Sequence, residues 1–200
     1  MGLRIPVAHD YICPWCWIAL HQAEALQAEF DVEFDWLSYE LIPDHVEWPK
    51  PEPAQKYNPE KAIPPSRMAL AYYASNMEPP MSKRPSQMRS HRAMLATEWV
   101  KEYAPNRVQE FVAAMYRALW EEGLEIDKLE VILKIAERLD LDQAGILDAV
   151  ETNRYDSSIV KFDNEAYSKH VYNVPTFYIG DKKYAEQPLA VLRAAVSREI

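Results

Sequence analysis

The sequence predicts an α/β domain interrupted by an all-α insertion. Three features of the 200-residue chain carry this reading. The start has the order strand, helix, strand. The long middle is rich in helical periodicity and has almost no strand signal. The end returns to two short strands and a helix.

The elements follow from residue spacing. Leu3 to Ala8 is a short β-compatible run. From Trp17 to Phe30, the apolar positions Trp17, Leu20, Ala23, Leu26 and Phe30 recur at helical spacing. Asp31 to Leu37 alternates, with Val32, Phe34 and Trp36 on one side, as a half-buried strand does. Pro43 to Pro65 holds seven of the 15 prolines and no periodicity. Long irregular connections inside compact proteins usually serve function, so an ordered loop beside the site is expected. Helices are then predicted over Met68 to Ser75 and Ser86 to Tyr103. A third, Val108 to Trp120, carries Val108, Phe111, Val112, Met115, Tyr116, Leu119 and Trp120 on one face, which reads as core. Asp127 with Glu130 resembles a capping pair for a helix reaching Leu139. Shorter helices are expected over Gln143 to Glu151 and Ser157 to His170. Tyr172 to Ile179 reads as a strand, Gly180-Asp181 as a turn into Lys182 to Glu186, and Pro188 as the start of a final helix. Residues 1–42 and 171–200 are thus two halves of one α/β domain, and 43–170 are a proline-rich loop and helical insertion.

Composition narrows the function. A net charge of −9 and a pI near 5.1 disfavour nucleic acid or an anionic membrane surface as partner. No run approaches the roughly 20 apolar residues that span a bilayer. Met1 to Pro6 lacks the apolar stretch of a secretory signal, so a cytoplasmic location is expected.

The two cysteines fall together in Cys13-Pro14-Trp15-Cys16, between the first strand and the first helix. Cysteines three apart on a first helical turn share a face, close enough to form a disulfide after modest adjustment. Cys13, at the helix N-terminus, meets unpaired N–H groups and the positive end of the helix dipole, which favour a thiolate. Pro14 fits where its missing N–H costs little. This is the sequence form of a thioredoxin-like redox site. The competing chemistry is structural zinc, which needs four ligands. There is no second cysteine pair, and His9, His21, His45, His91 and His170 form no pair at metal spacing, so no metal is expected. His9 and Asp10, just before the motif, are candidates to tune the thiolate or relay a proton, or are simply a strand-end histidine and a capping aspartate.

Cys13-Pro14-Trp15-Cys16 and the distant Val174-Pro175-Thr176, with helices between them, resemble the DsbA family of thioredoxin-fold disulfide oxidoreductases. Asp10-Tyr11-Ile12 before the motif, Leu41-Ile42-Pro43 and Gly123-Leu124-Glu125-Ile126 are similar to its FrnE-like branch. The resemblance implies a DsbA-like, thioredoxin-like fold with a helical insertion, and catalysis by Cys13 and Cys16. It implies a cis Val174–Pro175 bond against the cysteines, although Pro175 read alone could be an ordinary trans proline. Pro14, Trp15, Val174 and Pro175 would then shape the substrate groove. The implied cofactor is the redox-active disulfide Cys13–Cys16 itself, with none tightly bound and glutathione as a candidate co-substrate. The implied partners are thiol or disulfide proteins. Trp15 brings no positive charge between the cysteines, which predicts a milder oxidant than relatives with histidine there. Two other functions stay open: a glutathione-dependent isomerase or transferase of the kappa-class or hydroxychromene-carboxylate isomerase type, and a redox-sensitive chaperone or binding module. The acceptor of the Cys16 proton is not legible in the sequence.

Overall fold

The computed structural model describes residues 2–47, 85, 88–161 and 174–200. Strand β1 (Leu3–His9) runs into helix α1 (Pro14–Glu29), which returns the chain to β2 (Val32–Glu40). β1 and β2 pair in parallel, from Leu3 opposite Val32 to His9 opposite Ser38, an arrangement that requires a crossover such as α1. Among the described residues, four α-helices follow: α2 (His91–Tyr103), α3 (Val108–Trp120), α4 (Leu129–Arg138) and α5 (Gln143–Glu151). The chain then adds β3 (Val160–Lys161), β4 (Thr176–Ile179), β5 (Lys182–Ala185) and α6 (Leu189–Glu199). The sheet order is β3-β2-β1-β4-β5, with β4 antiparallel to both β1 and β5.

The local causes are plain. Pro14 occupies the first turn of α1, and the carbonyl of Cys13 accepts the first helical N–H groups, from Cys16 and Trp17. In β2 the predicted alternation holds: Val32, Phe34 and Trp36 are buried while Glu33 is exposed. Gly180 turns β4 into β5 at φ +59°, a left-handed conformation that a side chain would strain.

The insertion is fastened to the sheet by polar ties as well as by its apolar face. Lys101 Nζ donates to the Trp36 carbonyl at 2.7 Å, and Trp36 Nε1 donates to Gln109 Oε1 at 2.7 Å. The Ser38 hydroxyl meets Glu98 at 2.7 Å. These ties join α2 and α3 to the strand next to β1.

Two expectations are corrected. The stretch Ser157 to His170 does not begin as a helix: a single 3-10 turn at Asp156–Ser158 leads into β3, whose Val160 pairs with Tyr39. β-branched Ile159 and Val160 are buried by the sheet edge, and tertiary pairing overrides the helical spacing. Asp127 does not cap α4, whose N-cap is Lys128. Its Oδ1 instead accepts the Arg92 N–H in the first turn of α2, so it caps a neighbouring helix. The helix expected over Met68 to Ser75 and all of the proline-rich loop beyond residue 47 lie outside the described residues. The loop's beginning is held by Arg89, whose guanidinium donates to the carbonyls of Ile42, Pro43 and Val46.

Candidate active site

Parallel strands end at one edge of the sheet, and the site is assembled there. β1 delivers His9 and Asp10, and α1 begins just beyond with Cys13. Ala8 pairs with Thr176, so Val174 and Pro175, just before β4, lie at the same end of the sheet as His9 and Asp10. The fold therefore brings together two motifs that lie far apart in the chain. The Val174–Pro175 peptide bond is cis, as the resemblance implies.

Cys13 and Cys16 are both free thiols. Cys13 is 6% exposed, and Cys16 behind it is wholly buried. The Cys13 thiol points at the Val174 carbonyl, 3.6 Å away. Cys16 Sγ accepts the Asp10 backbone N–H at 3.5 Å. Burial pushes the Cys16 thiol well above its ordinary range, and its hydrogen bond to Cys13 and the Cys13 charge push it further. The Asp10 N–H pulls the other way. Pro14 and Trp15 are half-buried on the first turn, beside the sulfurs, and Trp15 packs against the core.

Asp10 uses every polar atom it has. Its N–H reaches Cys16, and its carbonyl accepts the Cys13 N–H and the Tyr116 hydroxyl, each at 3.2 Å. Its carboxylate accepts the N–H groups of Ile12 at 3.1 Å and Leu41 at 2.7 Å. Burial raises the Asp10 carboxyl to about 6, against the opposing pull of the Leu41 N–H, the neighbouring Ser90 hydroxyl and the Ile12 N–H; the Glu40 charge raises it further. Asp10 thus ties the active-site turn to the end of β2.

His9 sits one residue earlier, fully buried. Its Nδ1 lies 2.8 Å from the Tyr116 hydroxyl, and its ring stands edge-on to Tyr11 and Trp36, both at 5.0 Å. Burial, with the Lys101 charge nearby, lowers its pKa to about 3, so the ring is neutral at ordinary pH. Of the two readings the sequence leaves open, a tuning or relay group and a strand-end histidine, the buried and neutral ring suits the second. Farther along β2, buried Glu40 bonds His91 Nδ1 at 2.9 Å, which raises the His91 pKa. Among the described residues no group of three or more His, Cys, Asp or Glu side chains is placed to hold a metal ion. Nor is any described helix long and apolar enough to cross a membrane.

Helix α3 supplies what sequence reasoning missed. Tyr116 reaches His9 and Asp10, and Trp120 Nε1 donates to the Tyr11 carbonyl at 2.9 Å. A signal for them existed. Tyr116 and Trp120 stand four apart on a face that reads as core, and a buried phenol or indole needs a polar partner.

The sheet thus sets a two-cysteine helix N-terminus against a cis-proline. A family model of the DSBA-like thioredoxin domain matches residues 4–197, and the chain belongs to that family of thiol–disulfide oxidoreductases. The chain is 29% identical over 184 residues to the uncharacterized protein YwbO of Bacillus subtilis (strain 168), covering 90% of this chain and 88% of that protein. Its fold is similar to that of the cytosolic disulfide reductase DsbM from Pseudomonas aeruginosa, solved with GSH, at a TM-score of 0.64 and 17% identity, with 98% of each chain covered. It is also similar to 2-hydroxychromene-2-carboxylate isomerase, at a TM-score of 0.68 and 18% identity, covering 98% of this chain and 95% of that one.

Proposed function

We propose that the chain is a dithiol–disulfide oxidoreductase that exchanges electrons with protein or glutathione disulfides through Cys13 and Cys16. The observation that carries this reading is the asymmetry of the pair. Cys13 is the outer thiol at the first turn of α1, and Cys16 is the inner one with its acidity suppressed. In the reducing direction the Cys13 thiolate attacks one sulfur of a substrate disulfide. That bond breaks, Cys13 forms a mixed disulfide, and the departing thiolate takes up a proton. Cys16 then loses its proton and attacks the Cys13 sulfur, releasing the second substrate thiol and leaving Cys13–Cys16 oxidised. The reverse sequence oxidises a substrate dithiol.

The remaining roles follow from position. The backbone of Val174 and the ring of Pro175, opposite the sulfurs, would receive an extended substrate segment, with Pro14 and Trp15 bounding it. Asp10 tunes Cys16 in two opposed ways: its N–H favours the Cys16 thiolate and its carboxylate charge disfavours it. Glutathione is the proposed small co-substrate, and a cytoplasmic location the proposed setting; the GSH-containing DsbM structure supports both. Replacing Cys16 with Ser should trap the mixed disulfide on Cys13, seen by mass spectrometry as a glutathione or protein adduct that dithiothreitol removes. A variant that keeps a reactive Cys13 yet captures no adduct would count against the mechanism.

The isomerase reading is favoured by one observation, the likeness to the chromene-carboxylate isomerase fold. The intact cysteine pair favours the redox reading. Insulin reduction measured beside chromene isomerisation, both with glutathione, separates the two.

A further inference from the structure

We propose that Tyr116, supplied by the helical insertion, is a positioning residue for the resolving step: it holds the Asp10 backbone so that its N–H stays on Cys16 Sγ. The inference rests on the two-cysteine reading above and assigns a task to the insertion within it.

The geometry is a short chain of contacts. The Tyr116 hydroxyl donates to the Asp10 carbonyl at 3.2 Å and lies 2.8 Å from His9 Nδ1. The Asp10 N–H donates to Cys16 Sγ at 3.5 Å. That N–H belongs to the peptide between His9 and Asp10, so Tyr116 grips the residue on each side of it. Its ring is wholly buried, against Tyr11 at 4.9 Å, Trp17 at 6.2 Å and Trp36 at 6.4 Å, and this packing fixes where the hydroxyl sits. Burial raises the phenol well above its ordinary range, and any charge forming on Cys16 raises it further, so it remains a hydrogen-bond donor.

The chemical need is specific to one step. Cys16 must become a thiolate in a site without water contact, where burial opposes the charge. A fixed N–H on its sulfur stabilises that charge as it develops, whereas the attack by Cys13 does not use this contact. The titratable groups facing Cys16 are Cys13 on its own helix, Asp10 on the loop from β1 and Tyr116 on α3, and Tyr116 is the one among them that the helical insertion supplies.

Ellman's reagent separates the steps, because the chain holds only two cysteines. Cys13 thiolate attacks the reagent disulfide, forming a Cys13–thionitrobenzoate mixed disulfide and releasing one thionitrobenzoate, at a rate that depends on reagent concentration. Cys16 thiolate then attacks Cys13 sulfur, forming Cys13–Cys16 and releasing the second thionitrobenzoate, at a rate that does not. Tyr116→Phe keeps the ring and removes only the hydroxyl. It should leave the first phase within about twofold of wild type. It should slow the second about tenfold, which is about 1.4 kcal/mol, the size of one hydrogen bond, and move its pH inflection upward. Met115→Leu, a volume-conserving change on the same helix, should leave the second phase unchanged. Trp120→Phe frees the Tyr11 carbonyl and should slow the second phase in the same direction, which keeps a test in hand if Tyr116→Phe does not fold. A wild-type second phase in Tyr116→Phe would overturn the inference. So would equal slowing of both phases, a Met115→Leu variant as slow as Tyr116→Phe, or an unfolded Tyr116→Phe beside an unaffected Trp120→Phe. Release of a single thionitrobenzoate by the wild-type protein would overturn the two-cysteine reading itself, and the inference with it.

Discussion

His9 and Asp10 are adjacent and both buried, yet their protonation pulls stability in opposite directions with pH. His9 protonates near 6.5 in the unfolded chain but only near 3 in the fold. Its stabilising contribution is therefore complete above pH 6.5 and is lost as pH falls toward 3. Asp10 ionises near 3.8 when unfolded and near 6 when folded. Its contribution is complete below 3.8 and is lost as pH rises through 6. Between pH 4 and 7 the two oppose each other over nearly the same range, so single variants separate them. Urea unfolding at pH 4 and pH 7 reads the change in stability between them: His9→Gln should shift that change downward, toward less gain on raising the pH, and Asp10→Asn should shift it upward. A His9→Gln variant with the pH dependence of the wild type would refute the assignment. Asp10→Ala has a separate effect, since it leaves the N–H groups of Ile12 and Leu41 without their acceptor. That should cost about 2–4 kcal/mol, read from the urea midpoint at neutral pH.

At the scale of elements, α3 is the member that does most. Its predicted apolar face is buried as written, from Val108 and Phe111 to Leu119 and Trp120. Phe111→Ala should lower unfolding free energy by about 3–5 kcal/mol. Asp127→Ala should cost about 1 kcal/mol through the first turn of α2 rather than through α4, so amide exchange should quicken at Arg92 and not at Val131. Much here was legible because periodicity reports burial: the strands β1 and β2 and the helices α1, α3 and α5 stand where the spacing put them. Asp127 was misread because a carboxylate beside a helix start can serve another helix, and only tertiary structure says which. Val160 was misread for a related reason, since a two-residue edge strand is too short to show a period. Within the site, Cys13, Cys16 and Pro175 were legible by motif. The Asp10 hub was half-legible, because its partners Leu41 and Tyr116 come from separate elements. His9 stayed open between a tuning group and an ordinary strand-end histidine, because its surroundings, which keep the ring neutral, come from separate elements.

The whole molecule explains why so short a motif needs 200 residues. The sheet brings Val174-Pro175 to the cysteines, and helix α3 of the insertion holds the backbone ahead of Cys13 through Tyr116 and Trp120. Trp15 places no positive charge between the cysteines, and the buried Asp10 carboxylate adds a negative one behind them. The Asp10 charge opposes the Cys16 thiolate and Trp15 adds nothing to offset it, so the strong stabilisation of the reduced form that makes an extreme oxidant is not expected. Cys13 and Cys16 should therefore form a reversible couple of moderate poise. The most direct test is the reduction potential of the wild-type protein equilibrated in glutathione buffers, with the oxidised fraction read by thiol alkylation. A single two-electron transition at a potential clearly more reducing than about −120 mV is the predicted result. A potential at that oxidising extreme, or the absence of any reversible Cys13–Cys16 disulfide, would contradict it.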